Sequence, residues 1–260
     1  MNPRTAALWE ALFRRVGERA GVPLTPLHAP HPHPIHTIWA RSDLGLAFMG
    51  GWPFHRASPQ PIALGAPVPD DPIAAGRAVY WTDMIVRADA PFVTLEDTFG
   101  ARLAWTVEGS HSGYNAPRYL LIEPFLARGM RPLYGEAVGP VATPRGAIDA
   151  VLEGRADIAP LDGFYHLLLQ RHEPATAERL RVLIRTPAAP IPLLVASQST
   201  PAEVVAALRA ALLTLHEDAT GAEKLADLRL TRFAPINALD YAIIEAWNRD
   251  AHEAGYHRPY

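Results

Sequence analysis

The residues best suited to bind a small anion lie in one short segment, Ser110-His111-Ser112-Gly113. The segment follows an apolar run typical of a buried strand and precedes a helical pattern. Pro117 marks the first helical turn, because proline is tolerated there and not deeper, so we expect the helix to begin near Gly113. Two hydroxyls, an imidazole and free backbone N–H groups would then lie at the positive end of a helix dipole, which favours an anion. The alternative is that a serine only caps the helix.

Asp162 is a second candidate, since it follows a short apolar strand predicted over 156–161. Ligands of open α/β sheets bind outside the carboxyl ends of strands, where this carboxylate would stand. Gly163 comes next, and an aspartate in this position is equally typical of a helix cap. Both interpretations stay open at this point.

Aromatic residues that could form the walls of a site come earlier in the chain. A strand predicted over 43–48 ends near Gly51 and Trp52, and glycine allows a backbone to approach a ligand closely. Trp52 fits a core position equally well. A second strand, predicted over 78–87, contains Tyr80 and Trp81. Neighbouring strand residues point to opposite faces, so only one of these two rings can line a site and the other belongs to the core.

Three segments together resemble a known family: the serine segment with its following aromatic, the stretch 151–162, and the proline-containing stretch 183–196. They are similar to the phosphate, phosphite and phosphonate-binding proteins of ABC importers over about 39–213. The resemblance implies an α/β periplasmic-binding-protein fold of type 2. That fold has two lobes, two crossover strands and a ligand cleft between the lobes.

The resemblance also implies roles for individual residues. Ser110, His111, Ser112, Gly113 and Tyr114 would hold the oxyanion, and Asp162 would face a ligand amine or share a proton with a phosphoryl oxygen. Gly51 and Trp52 would form the first ligand-contacting loop, and Tyr80 or Trp81 would line the cleft. Family members have a hydroxyl residue where His111 stands. An imidazolium there would donate to the anion only below its pKa, so affinity would fall as the pH rises past that value.

Alternating strands and helices predict mainly parallel sheets. We expect lobe one to comprise 1–87 and 190–260, and lobe two to comprise 88–189.

Composition excludes several other classes of protein. The 260 residues carry a net charge of −3, which argues against nucleic-acid binding, and the absence of cysteine excludes thiolate catalysis. Lys224 is the only lysine and lies in a predicted surface helix, which argues against a pyridoxal Schiff base. We therefore expect no catalytic residues, cofactor or metal. The resemblance implies a monomeric binding protein whose partners are a small oxyanion and an ABC permease.

Location and role leave alternatives. The first 22 residues predict an amphipathic helix rather than a signal peptide, so the sequence as written suggests the cytoplasm, whereas the resemblance implies an extracytoplasmic protein. A cytoplasmic ligand sensor on the same fold is one alternative function. A binding protein or enzyme of the thiamine-pyrimidine-precursor type is another. His28, His31, His33 and His36 alternate with prolines, which indicates an extended loop rather than a native metal site.

Overall fold

A computed structural model describes residues 2–27 and 35–259. The strands are β1 (Ala47–Met49), β2 (Ile62–Pro69), β3 (Val79–Tyr80), β4 (Thr82–Arg87), β5 (Arg102–Ala104), β6 (Glu136–Val138), β7 (Ala159–Asp162), β8 (Leu180–Arg185), β9 (Ala189–Pro190), β10 (Leu193–Ala196) and β11 (Leu230–Ala234). The α-helices are α1 (Pro3–Ala20), α2 (Ile35–Trp39), α3 (Gly51–Arg56), α4 (Ala116–Leu120), α5 (Ile122–Ala127), α6 (Pro144–Leu152), α7 (Gly163–His172), α8 (Pro174–Ala177), α9 (Ala202–Leu213), α10 (Ala219–Asp227) and α11 (Ala242–Glu253). A π-helical turn covers His111–Asn115, and 3₁₀ turns cover Glu96–Thr98, Leu215–Glu217 and Ala238–Tyr241.

The chain divides into two compact units. The first contains the described residues of Met1–Val79 and Pro190–Tyr241, and the second those of Tyr80–Ala189 and Ala242–Tyr260. The chain therefore passes between the units three times: once within β3, once within β9 and once just before α11.

The first unit is built on a sheet in the order β1-β10-β2-β11, in which every pair is antiparallel. Helices α1, α9 and α10 pack together, and α9 lies against β2. The N-terminal amphipathic helix predicted from the sequence is confirmed as α1, because Leu12 and Val16 are fully buried. Arg15 makes a two-pronged hydrogen bond to Asp218, the cap of α10, with both N–O distances near 3 Å (2.9 and 3.0 Å).

The second unit is built on the sheet β7-β4-β8, with β4 in the centre and both neighbours antiparallel to it. A parallel pair, β5 and β6, stands beside it, joined by a bridge from Leu103 to Ile158. Alternate residues of β4 enter different cores: Ile85 packs with α6, whereas Met84 and Val86 pack with Phe125 of α5 and the residues around it. This alternation is the two-residue period expected of a strand buried on both faces.

Two expectations about the fold need correction. The sheets are not mainly parallel, because the strands that carry the chain into and out of each unit, β4 and β10, are inserted between others and run against them. Strand–helix alternation predicts parallel pairing only where successive strands are also neighbours in the sheet. The structure also places 80–87 and Ala242–Tyr260 in the second unit, whereas we expected both in lobe one.

Candidate functional site

The serine segment of the second unit begins with a capped helical turn. Ser110 has an extended backbone (φ −83°, ψ 130°), and its hydroxyl accepts a hydrogen bond from the Gly113 N–H at 3.0 Å. The π-helical turn then leads into α4, with Pro117 in the first turn of that helix as predicted. The helical segment therefore starts about two residues earlier than expected. The cap interpretation holds for Ser110, which remains able to donate its own proton.

Gly113 is required by close packing. A Cβ atom at this position would lie 1.9 Å from Oγ1 of Thr106, and the Thr106 N–H donates to the Gly113 carbonyl at 3.2 Å. The turn and the segment after β5 therefore approach each other more closely than any side chain at Gly113 would permit.

Ser112 lies where the turn meets the sheet. Its hydroxyl donates to Oδ2 of Asp162 at 3.3 Å, and its carbonyl accepts from the Thr82 hydroxyl at 2.9 Å. Thr82 and Asp162 are directly opposite each other in the β4–β7 pair. A distance of 3.3 Å is long for an O–H···O bond, so the Ser112 hydroxyl is easily redirected to a ligand oxygen. Sequence analysis missed Thr82, although a hydroxyl residue next to Trp81 at the start of a strand is a usable signal.

Asp162 both caps a helix and faces the serine segment. Its Oδ1 accepts from the Tyr165 N–H at 2.9 Å at the start of α7, and its Oδ2 accepts from Ser112. Burial raises the pKa of this carboxyl to about 6, the nearby charge of Asp83 acts in the same direction, and the hydrogen bonds from Tyr165 and Ser112 oppose the rise. Asp162 therefore caps α7, and the same geometry leaves its other oxygen in a position compatible with a ligand contact.

A second buried carboxylate, which sequence analysis missed, follows Thr82 on β4. Asp83 is 2% exposed and accepts from the indole N–H of Trp81 at 3.1 Å and from Nε of Arg185 at 2.8 Å. Its Oδ2 is 2.6 Å from Nδ1 of His166, four residues after Asp162 on α7. The signal for this network was an aspartate inside an otherwise apolar strand, which requires buried partners.

His111 lies in a buried environment that disfavours a charge on its ring. The ring is buried, and burial lowers its pKa to about 3, so the imidazole is neutral near pH 7. Its centroid lies 5.2 Å from the ring of Trp247 and 6.0 Å from that of Tyr80, and its Nδ1 is 3.2 Å from the Asn115 side-chain amide. The ring therefore belongs to an aromatic cluster, and a contact between His111 and the anion stays a prediction.

The predicted aromatic contacts are packed inside the protein. The Tyr114 hydroxyl donates to the His257 carbonyl at 3.2 Å, and the Arg118 guanidinium lies 5.1 Å from the Tyr114 ring. Tyr80 and Trp81 are 3% and 4% exposed. A Cβ at Gly163 would lie 2.5 Å from the indole nitrogen of Trp81, so that ring packs directly against the start of α7. A ligand contact by any of these rings stays a prediction.

Gly51 and Trp52 are in the first unit, at the start of α3. Trp52 is 4% exposed, and the Arg56 guanidinium lies 4.5 Å from its ring. The second unit brings the other predicted residues together without them, and their participation in ligand binding stays a prediction.

Among the residues that the structure describes, no group of three or more metal-ligating side chains comes together; His28, His31 and His33 lie outside those residues. Over the same ranges, 2–27 and 35–259, no helix combines the length and apolar character needed to cross a bilayer.

Comparison with known proteins identifies the class. The chain matches, over residues 2–241, the family described as the periplasmic substrate-binding protein of the phosphonate ABC transporter. The match covers most of the chain, so the chain belongs to this family. Its members bind substrates for transport with an ABC permease and are not a family of enzymes. Comparison with curated protein sequences gives no significant match.

Solved structures show the same fold at low sequence identity. A binding protein component of an ABC phosphonate transporter from Pseudomonas aeruginosa has a TM-score of 0.79 and 19% identity, covering 98% of this chain and 84% of that one. PhnD1 from Prochlorococcus marinus, solved with methylphosphonate, has a TM-score of 0.78 and 16% identity, covering 97% and 95%. MatC from Rhodopseudomonas palustris, with bound malate, has a TM-score of 0.58 and 16% identity, covering 95% and 93%. The fold is that of the type 2 periplasmic binding proteins.

Proposed function

We propose that this protein binds a small phosphorus oxyanion, namely phosphate, phosphite or an organophosphonate, and delivers it to an ABC permease. The Ser110–Gly113 segment and Asp162 form the binding corner. One observation carries the proposal: the Ser112 hydroxyl lies 3.3 Å from the Asp162 carboxylate, although fifty positions separate the two residues in the chain. A hydroxyl beside a carboxyl supplies both a donor and an acceptor to a partly protonated oxyanion.

The protonation chemistry supports a phosphorus ligand. With its pKa raised to about 6, Asp162 is mostly ionised at pH 7, and it then accepts a hydrogen bond from a P–OH group or an amine. Ser112 donates to a charged oxygen of the same ligand. The neutral His111 adds no formal charge, so neutral donors carry the recognition.

The test is a calorimetric titration of the purified protein with phosphate, phosphite, methylphosphonate and 2-aminoethylphosphonate. We expect at least one of these to bind below about millimolar without turnover, which corresponds to a binding free energy beyond about −4 kcal/mol. Binding of malate or a sulfonate, with none of the four phosphorus compounds bound, would contradict the phosphorus assignment.

Ser112→Ala is the decisive variant. A hydrogen bond to a charged group contributes about 1.5–3 kcal/mol, so affinity should fall by roughly ten- to hundredfold. Ser110→Ala should weaken affinity to a similar extent and should also cost about 1 kcal/mol of stability, because it removes a helix cap. Thr143→Ala is the matched control: it removes the cap of α6, outside the proposed site, and should lower stability without changing affinity. Equal affinity of wild type and Ser112→Ala for every ligand would show that the site lies elsewhere.

A further inference from the structure

The family match ends at residue 241, and α11 begins directly after it. This last helix nevertheless belongs to the second unit and contacts both α4 and the π-helical turn that contains Ser112. A segment outside the family match therefore lies against the proposed anion-binding residues.

An aromatic stack makes the central contact. Trp247 of α11 is 5% exposed, and its ring stands near those of two residues of the serine segment and α4. The Tyr119 ring is stacked on it, with centroids 4.5 Å apart and planes 6° apart. The His111 ring lies 5.2 Å away at 34°. Trp247 therefore packs against His111, the residue between Ser110 and Ser112.

Hydrogen bonds extend this contact along the segment. The Asn115 side-chain amide donates to the Ile244 carbonyl at 2.8 Å, and Nη2 of Arg118 donates to Oδ1 of Asn248 at 3.2 Å. Both donors are buried, and a buried donor deprived of its partner is costly. These bonds fix the position of the turn relative to α11.

Ser112 is held on the other side. Its carbonyl and hydroxyl contact Thr82 and Asp162, which belong to the sheet, whereas His111 and Asn115 contact α11. The π-helical turn is thus fixed from two sides, with the anion-binding hydroxyl between them.

We propose that α11 is the template that fixes the anion-binding turn, and that Trp247 is the positioning residue in it. This inference rests on the function proposed above. Hydrogen bonds are directional, and a binding group displaced by about 1 Å loses much of its effect. Loss of the Trp247 contact would let the turn shift at His111, and the hydrogen bond from the neighbouring Ser112 to the ligand would become weaker. Trp247 itself has no contact with ligand in this scheme.

Three variants test the proposal by calorimetric titration with methylphosphonate and by thermal melts. We expect Trp247→Leu to weaken affinity at least ~tenfold and Trp247→Phe, which keeps an aromatic ring, to stay within about threefold of wild type. Trp9→Leu is the matched control: Trp9 is 7% exposed and packs against Phe48 in the first unit. It should lower the melting temperature and leave affinity unchanged. Equal affinity of wild type and Trp247→Leu would overturn the proposal.

A spectroscopic readout separates positioning from general destabilisation. In wild type, the imidazole NMR signals of His111, assigned with His111→Gln, should not titrate between pH 5 and 8, because the ring is buried. In Trp247→Ala the pKa of His111 should move up toward its ordinary value of 6.5, and in Trp9→Leu it should not. A His111 signal that remains unchanged in Trp247→Ala would also overturn the proposal.

Two further outcomes are distinguishable. If wild type binds none of the phosphorus oxyanions, the proposed function fails, while the His111 titration still reports whether α11 holds the turn. If Trp247→Leu does not fold, Asn248→Ala replaces it, because this smaller change keeps the aromatic stack and removes the side-chain oxygen that accepts from Arg118, together with the amide that donates to Glu245. Its affinity for methylphosphonate should fall at least ~threefold, and unchanged affinity would contradict the template role.

Discussion

Individual residues of the candidate site do more than one thing. Ser110 caps a helical turn and Asp162 caps α7, yet the hydroxyl and carboxyl that do so lie at the proposed anion site. A cap uses one lone pair of a side-chain oxygen and leaves the rest of the group for a ligand. Cap and ligand contact are therefore compatible roles, and mutations must separate their effects on stability from those on affinity.

Asp162→Asn should stabilise the ligand-free protein more at pH 7.5 than at pH 4.5. The pKa of Asp162 is raised from 3.8 to about 6, so its contribution to stability is fully present below pH 3.8 and is lost as the pH rises through 6. Asparagine keeps the cap acceptor and never ionises. Thermal melts at both pH values measure the difference between variant and wild type. A difference that is the same at the two pH values would contradict burial as the cause.

At the level of elements, the π-helical turn depends on one close approach. Gly113→Ala should destabilise the protein by about 1–3 kcal/mol, as overpacking does, because its Cβ would lie 1.9 Å from Thr106 Oγ1. Thr106→Gly removes that side chain, so the double variant should recover part of the loss. Urea denaturation of the two single variants and the double variant gives the coupling energy. Simple additivity of the two losses would show that the contact is not what selects glycine.

Local sequence patterns predicted the helices and strands more accurately than the contacts between them. The Asp162 position at the end of β7, the Pro117 helix start and the amphipathic α1 follow from spacing and from the limits of proline. Sheet direction and the placement of α11 do not, because both depend on contacts between residues far apart in the chain. The buried partners of Asp83 and the aromatic cover over His111 were inaccessible for the same reason.

At the level of the whole molecule, the charge balance bears on how a ligand is captured. The chain has a net charge of −3, and the proposed corner contains neutral hydroxyls, a neutral imidazole and a carboxyl. A protein with a net negative charge does not attract an anion over long distances. Dissolved salt screens formal cations, and it has little effect on hydrogen bonds from neutral donors. Recognition then depends on short-range hydrogen bonds arranged by the fold.

Affinity for methylphosphonate should therefore depend only weakly on ionic strength. Between 20 and 500 mM potassium gluconate, a salt chosen because chloride itself could compete for an anion site, we expect the dissociation constant to change by less than about threefold. The association rate, measured by stopped flow, should not fall as salt is added, because no long-range attraction is being screened. Arg185→Gln serves as the control: Arg185 is the half-exposed cation bound to Asp83, at the same end of the sheet as Asp162. A steep loss of affinity with salt that this variant abolishes would show that a formal positive charge, and not the neutral serine turn, holds the oxyanion.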